Sequence, residues 1–173
     1  DGWASWDVPA VADAPAWCCP GKAVCKLDAK EGGYVSNHDR TTDTVRIYAR
    51  FSGGKLERLR TYASSCAVQA DTEIRKVTPS EQASAEWLSG LLDGELRTRH
   101  LRGDVMAALA VHRTPLAHDS LARIARSGTG IEELKNAVFW LAHARGREGA
   151  EITTSIMFRD TDPRMREHAA FAI

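Results

Sequence analysis

The sequence predicts an α+β fold: a small N-terminal β/loop region with disulfides, followed by an α-helical solenoid of three helix pairs. Three observations carry this. All four cysteines, Cys18, Cys19, Cys25 and Cys66, lie in the first 66 of 173 residues. Thr44 to Phe51 alternates and returns through Ser52-Gly53-Gly54-Lys55 as Leu56 to Ala63. Beyond these, the chain repeats itself every 32 residues, with V-M-A-A-L at Val105–Leu109, A-V-F-W-L at Ala137–Leu141 and A-A-F-A-I at Ala169–Ile173. In the same register Leu101-Arg102 falls over Met165-Arg166, and Ile124 over Ile156. Self-similarity at such a period marks stacked supersecondary units, here two helices each.

Residues 1–77 read as a cysteine-bearing β and loop domain. Gly2 to Val8 mixes small and aromatic residues, and Pro9 and Pro15 interrupt any helix. In the alternating segment Val45, Ile47, Ala49 and Phe51 share one face, with Arg46, Tyr48 and Arg50 on the other. The Gly53-Gly54 turn makes the hairpin the clearest element of this half. Tyr34-Val35-Ser36 and Val24 to Leu27 are weaker strands.

Residues 78–173 read as helical repeats, at about 78–112, 113–145 and 146–173, the last incomplete. Thr78-Pro79-Ser80-Glu81 offers a capping Thr, a Pro at the first helical position and a Glu three residues on. The helix from Pro79 to Leu92 would bury Ala83, Trp87, Leu88 and Leu91, and a second runs from about Leu96 to Val111. Thr114-Pro115 opens a third, ending near Ser127-Gly128. Thr129-Gly130-Ile131-Glu132 is a second capping box, for a helix to Ala144 with an apolar stripe of Leu134, Ala137, Val138 and Leu141. Gly146 to Phe158 gives a fifth helix, and Asp162-Pro163 caps a sixth.

Phe158-Arg159-Asp160-Thr161-Asp162-Pro163-Arg164-Met165-Arg166, followed by Ala169-Ala170-Phe171-Ala172-Ile173, resembles a HEAT repeat. In that family an Asp-rich turn leads into an apolar-Arg pair and then small and apolar residues. The unit before it has Glu133-Leu134 where the pair belongs and Gly128 in place of the Asp; Leu101-Arg102 keeps the pair. The whole chain also resembles secreted bacterial HEAT-repeat proteins, through Trp17-Cys18-Cys19, the Gly53-Gly54-Lys55 hairpin leading to Cys66, and Trp87-Leu88. That likeness implies an extracytoplasmic protein with no assigned catalytic activity.

Charge excludes several partners. Lys and Arg number 23, and so do Asp and Glu; residues 1–78 carry 11 basic and 10 acidic side chains, leaving 12 and 13 for the rest. Neither half is a basic tract, which disfavours nucleic acid. No run of 18 apolar residues exists to cross a bilayer as a helix.

Four cysteines in a small loop-rich segment point to two disulfides and an oxidising, secreted or periplasmic compartment. A start at Asp1, not Met, suits a processed product. Zinc, with His38 as a spare ligand, is the alternative, but adjacent Cys18 and Cys19 lack the C-x-x-C spacing of a metal knuckle. The favoured pairing is Cys18–Cys25 with Cys19–Cys66; the swapped pairing is nearly equivalent, because spacing does not fix connectivity. Ser52-Gly53-Gly54-Lys55 matches S-x-x-K formally, yet that chemistry needs Ser and Lys on adjacent helical turns.

The six histidines read mostly as surface positions, with His112 and His118 flanking Thr114-Pro115. One constellation stands out. Opposite the apolar stripe of the fourth helix lie Glu132, Asn136, Phe139 and His143; the same columns hold His100, Asp104, Ala107 and Val111 one repeat earlier, and Arg164, His168 and Phe171 one repeat later. Second helices of stacked repeats form the usual binding face, and a mixed column with aromatic members suits a protein or peptide partner. The bland alternative buries Phe139 and Phe171 between repeats. The expectation is therefore a non-catalytic scaffold without a cofactor. Alternatives are an enzyme or ligand carrier resembling HEAT-type bilin lyases, and a structural subunit of a larger assembly. Phe171-Ala172-Ile173 at the chain end further leads us to expect that residues 160–173 either belong to a longer array or are covered by a partner or a second copy.

Overall fold

The computed structural model describes residues 1–12, 14–19, 24–29, 35–94, 96, 98–128 and 130–173. The fold is α+β: β-sheets with two disulfides, then six helices packed pairwise among the described residues. The chain forms two compact units, Asp1–Ser84 and Ala85–Ile173.

In the first unit the strands are β1 (Gly2–Pro9), β2 (Pro15–Cys18), β3 (Cys25–Lys26), β4 (Val35–Thr41), β5 (Thr44–Ser52), β6 (Lys55–Ala63), β7 (Val68–Gln69) and β8 (Ile74–Lys76). A four-stranded sheet runs β6-β5-β1-β8, and β2–β4 and β3–β7 form separate two-stranded ladders. The β5/β6 hairpin turns through Gly53 and Gly54, at φ +54° and +74°. That left-handed pair matches the twist of the strands and suits glycine best. Ser52 pairs directly with Lys55 across the turn, so they stand on a hairpin and not on a helix.

β1, which the sequence marked only as mixed small and aromatic residues, is an inner strand. It pairs antiparallel with β5 along its whole length and parallel with β8. Directly paired residues share a face. One face therefore carries Trp6, Val8, Val45, Ile47, Ala49 and Leu59, all buried. The other carries Trp3, Tyr48 and Tyr62, which join Cys25 and Leu27 in a second buried cluster flanked by Cys18, Cys19 and Cys66. Phe51 does not complete the first face: the register slips between Arg50 and Phe51 with Glu57 as the extra residue, and Phe51 is half-buried.

The disulfides join Cys18 to Cys66 and Cys19 to Cys25, with Cα–Cα distances of 5.9 and 5.5 Å. This corrects the favoured pairing. Cys18 ends β2, which packs against β6 and so faces the turn carrying Cys66. The Cys19 N–H instead points to Cys25 Sγ at 3.1 Å. Tyr34 and the side chain of His38 lie outside the described residues, as does Thr129.

The helices are α1 (Glu81–Asp93), α2 (Arg99–Ala110), α3 (Pro115–Ser127), α4 (Ile131–Ala144), α5 (Gly146–Arg159) and α6 (Pro163–Ala172). α1 begins two residues later than the Thr78-Pro79 signal implied, because Ser80 Oγ accepts from the Ala83 N–H at 3.1 Å and acts as the cap. Its buried face is shifted accordingly to Ser84, Ala85, Leu88, Ser89 and Leu92, while Ala83 is exposed and Trp87 and Leu91 are half-buried. α2 starts at Arg99, not near Leu96, capped by Thr98 through the Leu101 N–H. Gly130, not Thr129, is the N-cap of α4. Thr114 before Pro115, and Asp162 before Pro163, stand where the sequence placed them.

In the second unit α3 and α4 form one hairpin and α5 and α6 another; α4 also packs on α2 and α6. Side-chain bonds between successive hairpins keep close to the period of the sequence. Ser89 Oγ meets Ser120 Oγ at 2.8 Å, 31 residues on. Arg102 reaches Glu133, also 31 residues on, and His168 Nε2 donates to the Lys135 carbonyl, 33 residues back. His112 is fully buried, its Nδ1 donating to the Ala108 carbonyl at 2.8 Å. It is therefore a core residue and not a surface one.

Candidate functional site

Four columns of the second helices converge unequally. Glu132 and Asn136 on α4 line a groove of about 500 Å³ between α4 and α2. Its other lining includes Arg99, Arg102 and Met106 on α2, and Ile131 and Glu133 on α4. Gly103 borders the groove on α2, where a Cβ would lie 3.7 Å from Asn136 Nδ2, in ordinary contact. Met106 is buried beneath it and Ile131 half-buried beside it.

Arg102 closes one wall. Its Nε and Nη2 donate to Glu133 Oε1 at 2.8 and 2.5 Å, and Nη2 also donates to the Leu92 carbonyl at 2.5 Å. One guanidinium thus satisfies an orphan carbonyl at the end of α1 and ties α2 to α4. Arg166 occupies the equivalent place two periods later and donates to the carbonyls of Asp160 and Thr161 at 2.9 and 3.4 Å. The apolar-Arg pairs of the sequence thus place, on α2 and α6, an arginine that bonds carbonyls at the end of the helix before it, whereas α4 has Leu134 at that position.

Farther along α4, Phe139 and His143 stack with ring centroids 4.1 Å apart and planes 21° from parallel. His143 Nδ1 donates to the Phe139 carbonyl at 2.9 Å. Phe139 also meets Trp140 edge-on at 5.0 Å. Phe139 is half-buried and His143 exposed. On α6, His168 is half-buried and bonded to α4, whereas Phe171 is 84% exposed. The two aromatics therefore differ: Phe139 is half-buried, against Trp140 and His143 of its own helix, and Phe171 is exposed.

The remaining predicted positions are not drawn into one site. His100 is exposed near the start of α2; Asp104 is half-buried and Ala107 and Val111 are in the core. Arg164 folds back on the cap of its own helix, its Nη2 donating to Asp162 Oδ2 at 2.7 Å. Those bonds, with the Arg164 N–H, hold the Asp162 carboxyl down at about 2.

Sequence reasoning found Glu132 and Asn136 but missed Arg99, Arg102 and Glu133. The usable signal was the break in the repeat, a carboxylate at 133 one period after Leu101. All four cysteines are consumed by disulfides. Among the described residues no three His, Cys, Asp or Glu side chains come together as a metal site, and no helix is long and apolar enough to cross a membrane.

No protein-family model, no curated protein and no solved structure matches the chain.

Proposed function

We propose that this chain is a HEAT-type repeat scaffold of an oxidising, extracytoplasmic compartment, non-catalytic, that binds a protein or peptide partner through its second helices. The observation that carries the reading is the α2/α4 groove, floored by Met106, with the Phe139–His143 stack farther along α4. Apolar floors with a polar rim and accessible aromatics are the make-up of protein recognition surfaces. The repeated capping arginines Arg102 and Arg166, and the inter-repeat bonds near the 32-residue period, support the HEAT assignment. Two disulfides support the compartment.

A photo-crosslinking residue placed at Asn136, compared with one at the exposed Glu151 on α5, tests this in the native source. A discrete adduct from position 136 and none from 151 is expected. Equal labelling from both positions, or none from 136, would contradict it.

A further inference from the structure

Resting on that scaffold reading, we propose that the α2/α4 groove takes an extended peptide segment with a large apolar side chain, flanked by a carboxylate toward α2 and a cation toward α4. The groove, about 500 Å³, has room for one large side chain and the backbone beside it. Its floor at Met106 is apolar and buried. The Arg102–Glu133 pair in the wall is mutually neutralised.

The two rims are not neutralised in that way. Arg99, on the α2 rim, is exposed and makes no ion pair among the described residues. Glu132, on the α4 rim, is exposed; its cation Lys135, on the same helix, is 3.8 Å away, beyond hydrogen-bond reach. An anionic ligand would meet Glu132 and a cationic one Arg99, each a repulsive contact. A purely apolar ligand would dehydrate both charges without pairing either. A segment with charges of opposite sign on either side of its anchor pairs both, and Asn136 between the rims offers a donor and an acceptor to a peptide group.

Panning a random linear peptide library displayed on phage against the intact, oxidised chain should enrich segments with an acidic, a large apolar and a basic residue in fixed order. A synthetic copy of an enriched peptide should bind Arg99→Glu and Glu132→Lys each about tenfold more weakly, or worse. Arg99 and Glu132 are exposed, so both variants should stay folded; Glu132→Lys, in the first turn of α4 beside Lys135, should melt slightly lower than the wild type. The double exchange Arg99→Glu with Glu132→Lys, panned afresh, should enrich the reversed order. Peptides without charged flanks, or an order unchanged by the exchange, overturn the proposal. Peptides that protect α6 amides instead of residues 99–106 from hydrogen exchange overturn the groove and leave the scaffold reading standing. No enrichment also overturns the groove, and crosslinking from position 136 then decides the scaffold reading separately.

Discussion

Arg102 on α2 and Glu133 on α4 share a two-point ion pair through one carboxylate oxygen, Oε1, at 2.8 and 2.5 Å. Glu133 occupies the register position of Leu101 and Met165, which are buried. The departure from the repeat is thus a substitution of function: where the other units bury an apolar side chain, this one reaches back to the arginine of its neighbour. Both side chains are partly shielded from water, at 25% and 14% exposed, so the pair should matter more than a surface bridge.

Removing Arg102 orphans the Leu92 carbonyl as well as Glu133. Arg102→Ala should cost about 2–3 kcal/mol and Glu133→Ala about 1–2 kcal/mol. The double variant should fall short of their sum by about 1 kcal/mol. Urea denaturation of the four proteins measures this, and strict additivity would mean that the two side chains do not interact in solution.

The disulfides should contribute unequally. Cys18–Cys66 closes a separation of 48 residues and Cys19–Cys25 one of 6. Chain entropy gives about 4 kcal/mol for the first and about 2 kcal/mol for the second. Peptide mapping without reduction checks the connectivity, and paired Cys→Ala variants check the ranking by urea midpoint.

Thr61 is fully buried beside Ile47, and its Oγ1 has no hydrogen-bond partner among the described residues. A valine has the same shape without the stranded hydroxyl. Thr61→Val should leave stability unchanged or raise it by about 1 kcal/mol, read as an equal or higher melting temperature. A loss of stability would reveal a partner for the hydroxyl.

Acid should weaken the β unit through Asp7 and Asp28. Arg46, bonded to Asp7 at 2.5 and 2.9 Å, holds that carboxyl low. Burial pushes Asp28 up, but the Asp71 N–H, the Trp3 indole and Arg50 together outweigh it and leave it lowered. A lowered folded pKa gives stability that is fully present above the unfolded value of about 4 and is lost as pH falls through the folded one. Asp28→Asn should therefore be less stable than wild type at pH 7 and lose less between pH 5 and 2. Parallel pH curves would remove Asp28 from the account.

Much of this fold was legible where local chemistry acts alone. Pro115 and Pro163 fix helix starts by geometry, and two glycines fix the hairpin. β1 was not legible because both its faces are largely buried: Trp3 and Ser5 lie on one, Trp6 and Val8 on the other, so large apolar residues stand on both and the alternation is blurred. The cap of α1 was misplaced because Thr78 and Ser80 both fit the signal, and only the Ala83 N–H chooses between them. In the groove, Glu132 and Asn136 followed from helical periodicity, whereas Arg102 meets Glu133 only through the way one hairpin sits on the next.

Binding through the second helices is tested most directly by amide hydrogen exchange on the chain with and without the partner captured from position 136. Slowed exchange confined to residues 99–106 and 131–143, with α3 and α5 unchanged, is the expected result. Protection on α3 and α5, with those two segments unaltered, would contradict it.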